Sequence, residues 1–177
     1  MKKFFLSALA AAALMASANA ASYEVDPSSK IGFSVKHLKL MSVEGSFDKF
    51  SGMIDYDAGK ITALTGAVEV ASVDTQNQKR DDHLKAADIF DQAKFPQMTF
   101  KMTEFKDGKM TGDLSIKGTT KSVTFDTTTK MDGNKLLVDA TGQVKRSDFG
   151  TVWESNLKDS MAGDEVTIKL NLVANPK

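Results

Sequence analysis

Two histidines, His37 and His83, are the side chains of this 177-residue chain best placed to move a proton near neutral pH. His37 closes the run Ile31-Gly-Phe33-Ser-Val35-Lys-His37 in the parity of its apolar residues, so it projects from the buried face where that strand runs out. It is either a polar contact for something held there or a histidine hydrogen-bonded to backbone. Arg80 and His83, three residues apart, share one flank of a helix and together suit an anionic or polar head group. A solvated arginine with an incidental neighbour fits the same spacing. The adjacent carboxylates Asp81-Asp82 and Asp164-Glu165 point in different directions on a helix or turn and read as solvated surface. Two distant histidines and no cysteine exclude three-histidine and thiolate metal sites, and no metal ligand set is expected. There is no G-x-S-x-G elbow, P-loop, dinucleotide fingerprint or H-E-x-x-H helix. The chemistry on offer is polar recognition, or general-base catalysis by His37 or His83.

Strands must position these groups. From Ser22 onward the dominant hydrophobic period is two, as for strands with one buried face. It recurs in Met98-Thr-Phe100-Lys-Met102, Leu114-Ser-Ile116, Val123-Thr-Phe125, Leu136 to Val144 and Val166 to Leu172. Turn residues divide the runs at Asp26-Pro27-Ser28, Asp57-Ala-Gly59, Lys106-Asp107-Gly108, Lys117-Gly118-Thr119, Met131-Asp132-Gly133-Asn134 and Ala162-Gly163-Asp164. Links this short join antiparallel neighbours. About eight such strands make a sandwich or a barrel, and closure, which removes exposed edges, favours the barrel. The expected fold is therefore all-β: an eight-stranded antiparallel barrel with one short helix at about 76–88. There Thr75-Gln-Asn-Gln78 fits a capping box, and Arg80, Leu84 and Ala87 share a stripe. Such a barrel either fills itself with side chains or keeps a slot for one slender ligand. Most of the eleven phenylalanines must be core, whereas inward Gly45, Gly66, Ala140 and Gly142 would leave a slot, and spacing leaves both readings open.

The 23 basic and 23 acidic residues are interspersed, which excludes general nucleic-acid binding. An apolar content of 41% excludes disorder over most of the chain. Basic Lys2-Lys3, apolar Phe4 to Met15 and the small-x-small Ala18-Asn19-Ala20 predict a cleaved secretory signal over residues 1–20. Cleavage between Ala20 and Ala21 leaves residues 21–177 as one domain, with periplasm as the expected destination and the extracellular space as the alternative. The apolar run falls short of the ~20 residues that span a bilayer.

The segments Ile31-Gly-Phe33-Ser-Val35-Lys36-His37-Leu38, Val43-Glu-Gly45-Ser-Phe47-Asp-Lys-Phe50-Ser-Gly52, Arg80-Asp81-Asp82-His83-Leu84 and Phe95-Pro96-Gln-Met-Thr99-Phe100 resemble the YceI-like family of bacterial periplasmic proteins. Thr111-Gly112-Asp113-Leu114 through Val123 and Arg146-Ser147-Asp148-Phe149-Gly150 continue the likeness in the same order. The resemblance implies a lipocalin-like barrel with a hydrophobic tunnel for a long amphiphile, typically a polyprenyl or quinone-like isoprenoid, with fatty-acyl compounds as a further class. It carries the polar, head-group positions to His37, Arg80, Asp81, His83, Arg146 and Asp148. It carries the aromatic tunnel positions to Phe33, Phe47, Phe50, Phe95, Phe100 and Phe149, which Val35, Leu114 and Ile116 join from the buried faces of their strands. Arg146 and Asp148 equally fit an ion pair or a turn lock at a strand end. Trp153-Glu-Ser-Asn156 lies where members of the family vary.

A non-enzymatic carrier of a long-chain lipid, with no cofactor, follows from the resemblance and the missing catalytic motifs. Two other classes remain open: an enzyme on a lipid head group using His37 or His83, and a ligand-free module for a membrane redox or stress-response partner. Transient membrane contact and a homodimer are further expectations.

Overall fold

Hairpins hold this chain together. The computed structural model describes residues 20–37, 41–151 and 162–177, His37 by its backbone alone. The strand segments are β1 Ala21–Val25, β2 Lys30–His37, β3 Met41–Phe47, β4 Phe50–Asp57, β5 Lys60–Glu69, β6 Val73–Asp74, β7 Gln97–Lys106, β8 Lys109–Ile116, β9 Thr119–Asp132, β10 Lys135–Lys145 and β11 Ala162–Pro176. The helix α1, Gln78–Lys85, lies between β6 and β7.

Six of the segments are halves of three bent strands. β1 pairs with β4 and with the end of β11, whereas β2 pairs with β3 and the rest of β11, so β1 and β2 are one strand creased after Val25. β3 and β4 are likewise one strand broken at Asp48–Lys49, and β5 and β6 one strand broken by a 3-10 turn at Val70–Ser72. Counted this way, eight antiparallel strands each pair with the next in sequence, and the last returns to the first. The barrel is closed, as the hairpin spacing predicts.

Type I′ geometry, whose twist matches that of the strands, requires both central residues in the left-handed region. Ala58-Gly59 (φ 46° and 83°), Asp107-Gly108 (51° and 73°) and Lys117-Gly118 (50° and 74°) supply it at three hairpins. The turn expected at Ala162-Gly163-Asp164 is instead the start of β11, where the register against β2 shifts between Ala162 and Val166. An irregular strand stretch carries the same glycine-and-aspartate signal as a turn.

The helix is shorter than expected and capped differently. Asn77, not Thr75, is the N-cap, its side chain accepting the Arg80 N–H. Thr75 is buried, and its N–H (2.9 Å) and hydroxyl (2.5 Å) both donate to Asp81 Oδ1. Asp81 is therefore not solvated surface, in contrast to the sequence expectation. Asp82 is exposed and accepts from Gln78.

One half of the barrel is packed solid. Ile54, Met110, Leu136, Val138 and Ala174 are fully buried there with Phe125, Leu64 and Leu172. A large apolar side chain so buried contributes about 1.5–3 kcal/mol. A smaller cluster of Phe47, Val70, Val73 and Met98 packs against Leu84 of α1 and Phe90.

Candidate functional site

The other half of the barrel is hollow. A cavity of about 460 Å³ occupies it, within the size range of small-molecule sites. Its wall is almost wholly apolar because the inward parity of β2 and β3 sets Ile31, Phe33, Val35, Val43 and Phe47 against it. The chain between β6 and β7 closes it with Arg80, Leu84, Ile89 and Phe90. Val25, Leu64, Phe100, Phe125 and Leu172 line the cavity and also pack with the solid half, so they are its floor. Exposed Lys36 and Met41 line it too and mark where it reaches solvent.

Phe33, Val35, Phe47 and Phe100 stand on this wall as expected, and so do Leu114, Ile116 and Phe149. Phe50 does not. It sits where β4 pairs with β5 but with neither β1 nor β2, facing a separate hollow beside Pro27 and Ser29. Phe95 is also elsewhere, lying on the Lys117-Gly118 hairpin so closely that a Cβ on Gly118 would meet its Cε1 at 2.6 Å. The glycines and alanine expected to leave a slot mostly do not. Ala140 is core, while rings of Phe33 and Phe125 cover Gly45 and Gly142, and Gly66 alone of the four reaches the cavity.

The polar residues divide. Arg80 lines the cavity, its Nε donating to Thr75 Oγ1 and its Nη2 to the Thr75 carbonyl, each at 2.7 Å. Its Nη1 has no partner among the described residues. Arg146 also lines the cavity and, among the described residues, donates to the carbonyls of Gly163 (3.1 Å), Thr151 (2.9 Å) and Ala162 (3.2 Å). It is thus a lock between the 3-10 turn Arg146–Phe149 and the irregular start of β11. Asp148 stands exposed on that turn, and Asp164 takes its expected place by accepting from the Ser147 N–H (2.9 Å) and hydroxyl (2.7 Å). Burial pushes the Asp164 carboxyl up, but these bonds and the Arg146 charge outweigh it and leave the pKa below the ordinary value.

His83 and Arg80 do not share a head-group site. His83 does not line the cavity, and its Nε2 meets Asp88 Oδ2 at 2.8 Å. The Asp88 carboxyl is pushed up by burial and pulled down further by the hydrogen bond and charge of His83, so its pKa is lowered. His37 ends β2 near the mouth, but its side chain, like Trp153 to Asn156 and residues 1–19, lies outside the described residues. Sequence reading missed Ile89 as a wall residue, although an apolar Ile89-Phe90 pair in a polar stretch was a signal for it.

No buried side-chain nitrogen or oxygen among the described residues lacks a hydrogen bond. Among the described residues the cavity wall thus offers an almost wholly apolar surface with the Arg80 guanidinium as a polar group on it, an arrangement suited to an apolar body with a polar end.

A family model described as a YceI-like domain matches residues 23–174. A UPF0312 protein of Staphylococcus aureus (strain N315) is 34% identical over 149 residues, covering 78% of this chain and 87% of that protein. The crystal structure of BcnA from Burkholderia cenocepacia matches with a TM-score of 0.78 at 31% identity, over 85% of this chain and 99% of that one. A polyisoprenoid binding domain from Saccharophagus degradans, implicated in plant cell wall breakdown, shares the fold with a TM-score of 0.69 at 15% identity, over 89% and 99% of the two chains.

Proposed function

This chain belongs to the YceI-like family, and from that premise we propose that it is an exported, non-enzymatic carrier of a long amphiphile. The tail is an isoprenoid, polyprenyl or quinone-like, held in the barrel cavity. The observation that carries this reading is the 460 Å³ apolar cavity in a barrel whose other half is densely packed. The polyisoprenoid binding domain that shares the fold agrees with it.

The energetics are sufficient. Burying one five-carbon isoprene unit is worth about 3–4 kcal/mol at roughly 0.8 kcal/mol per carbon, before binding costs. Micromolar affinity needs about −8 kcal/mol net, which a few units provide. Arg80, whose Nη1 has no partner among the described residues, offers a donor to head-group oxygens at the wall. The enzyme alternative has less support because His83 meets Asp88 away from the cavity. The ligand-free module has less support because the barrel's own phenylalanines leave the cavity open. Lys2-Lys3, the apolar run from Phe4 and Ala18-Asn19-Ala20 support periplasmic export.

Native mass spectrometry of the protein purified from its host's envelope, followed by organic extraction, tests the reading. A stoichiometric prenyl compound is the expected result. Bare protein that takes up no added polyprenyl lipid overturns it.

A further inference from the structure

We propose that the rings of Phe100 and Phe125 form a rigid stop that sets how long a tail the cavity accepts. The inference rests on the lipid-binding reading and adds to it a length limit and the residues that impose it. The two rings meet edge to face, centroids 5.5 Å apart and planes at 88°. Each is also pressed onto a glycine of the next strand. A Cβ on Gly112 would lie 2.4 Å from Phe100 Cζ, and one on Gly142 would lie 2.7 Å from Phe125 Cδ1. These glycines give up side-chain volume so that the rings can lie against bare backbone, and the contact fixes their rotamers.

Below the rings there is nowhere to go. Met110, Leu136 and Val138 are fully buried beneath them, in the same apolar cluster as Phe125. Above them the wall is open to the mouth. Val166, near the mouth, and Leu172, on the floor, are six residues apart on β11, about 20 Å along the strand and roughly 15 Å along the tilted barrel axis. A tail longer than that must fold back or leave its end in water. The remaining floor residues, Val25, Leu64 and Leu172, are aliphatic. Phe100 is the partner to change, because it is half-buried and faces the cavity whereas Phe125 is 2% exposed and belongs to the packed half.

The test measures binding of geraniol, farnesol, geranylgeraniol and longer all-trans prenols to the full mature protein and to Phe100→Ala. For the unaltered protein, affinity rises with each added unit and then stops rising at one length. Phe100→Ala removes a ring about the size of one isoprene unit, so the break moves one unit longer and the first homologue beyond it gains about tenfold or more. Phe100→Leu, which keeps the fold by a smaller truncation, gives a lesser gain at the same homologue. A break that stays in place in both variants overturns the stop while leaving lipid binding intact. Affinity that keeps rising with length in the unaltered protein overturns it too. Failure of every prenol to bind any of the three proteins overturns the lipid-binding reading itself, and the stop with it.

Discussion

Asp81 is the residue whose loss should loosen the cavity's cover without touching its apolar wall. It is 7% exposed, and its Oδ1 accepts both the N–H and the hydroxyl of Thr75 at the point where β6 gives way to α1. Thr75 in turn receives the Arg80 Nε and lies beside Gly45, where a Cβ would be 2.8 Å from its Cγ2. Replacing Asp81 by Ala deletes two bonds to a charged acceptor and leaves the buried Thr75 N–H unpaired. A hydrogen bond to a charged group contributes about 1.5–3 kcal/mol and an unsatisfied buried donor costs about 1–3, so with overlap the loss is about 2–4 kcal/mol. For a domain of this size that lowers Tm by roughly 4–16 °C. Asp81→Asn keeps an acceptor oxygen in place and should lose less than half as much. Urea unfolding of both variants measures the difference, with a common m-value showing that stability alone has changed. An Asp81→Ala protein within about 0.5 kcal/mol of the unaltered one, the range of a surface substitution, would refute the anchoring role.

Two further outcomes follow from the barrel seam and its floor. Asp26, whose carboxylate accepts the Ser28 N–H (2.8 Å) and the Asn175 amide (2.6 Å), has its pKa lowered to about 2 by Ser28's side-chain and backbone hydrogen bonds and then by Asn175. Its folded-state pKa is depressed, so its contribution to stability is fully present above the unfolded value of about 3.9 and disappears as pH falls towards 2; an NMR titration midpoint near 3.9 would contradict this. Gly142→Ala places a Cβ 2.7 Å from Phe125 Cδ1 and 2.9 Å from the Thr124 carbonyl oxygen. Overpacking of about 1–3 kcal/mol then outweighs the roughly 0.4–1 kcal/mol that losing a glycine gains through the unfolded chain; a urea midpoint at or above that of the unaltered protein would show that the ring yields freely.

Strand parity was legible because a one-residue slip would turn every inward side chain outward, so Phe33, Val35, Phe100 and Leu114 could be assigned to the interior from spacing alone. Hairpin chemistry was equally readable at Asp107-Gly108 and Lys117-Gly118, where the left-handed requirement selects the residues. The signal failed where one residue type serves two geometries. Gly163 reads as a turn but lies in an irregular strand stretch gripped by Arg146, and Thr75 reads as a helix cap but is itself a buried donor. Phe50 failed for another reason. Its place on the tunnel wall came from the family likeness and not from spacing, and the crease that turns it to a separate hollow is a property of three bent strands at once, which no window along the chain contains.

Whether a small inward residue leaves space is decided by its cross-strand partner. Gly142 lies opposite Phe125 and Gly45 opposite Phe33, so in both pairs the large ring occupies the volume that the glycine gives up. The cavity lies on the mouth side of Phe100 and Phe125, whose rings, seated on Gly112 and Gly142, form part of its floor. Below them Met110, Leu136 and Val138 close the interior without help from any ligand. The main core of the barrel thereby lies outside the cavity, and a tail can enter or leave without that core having to repack.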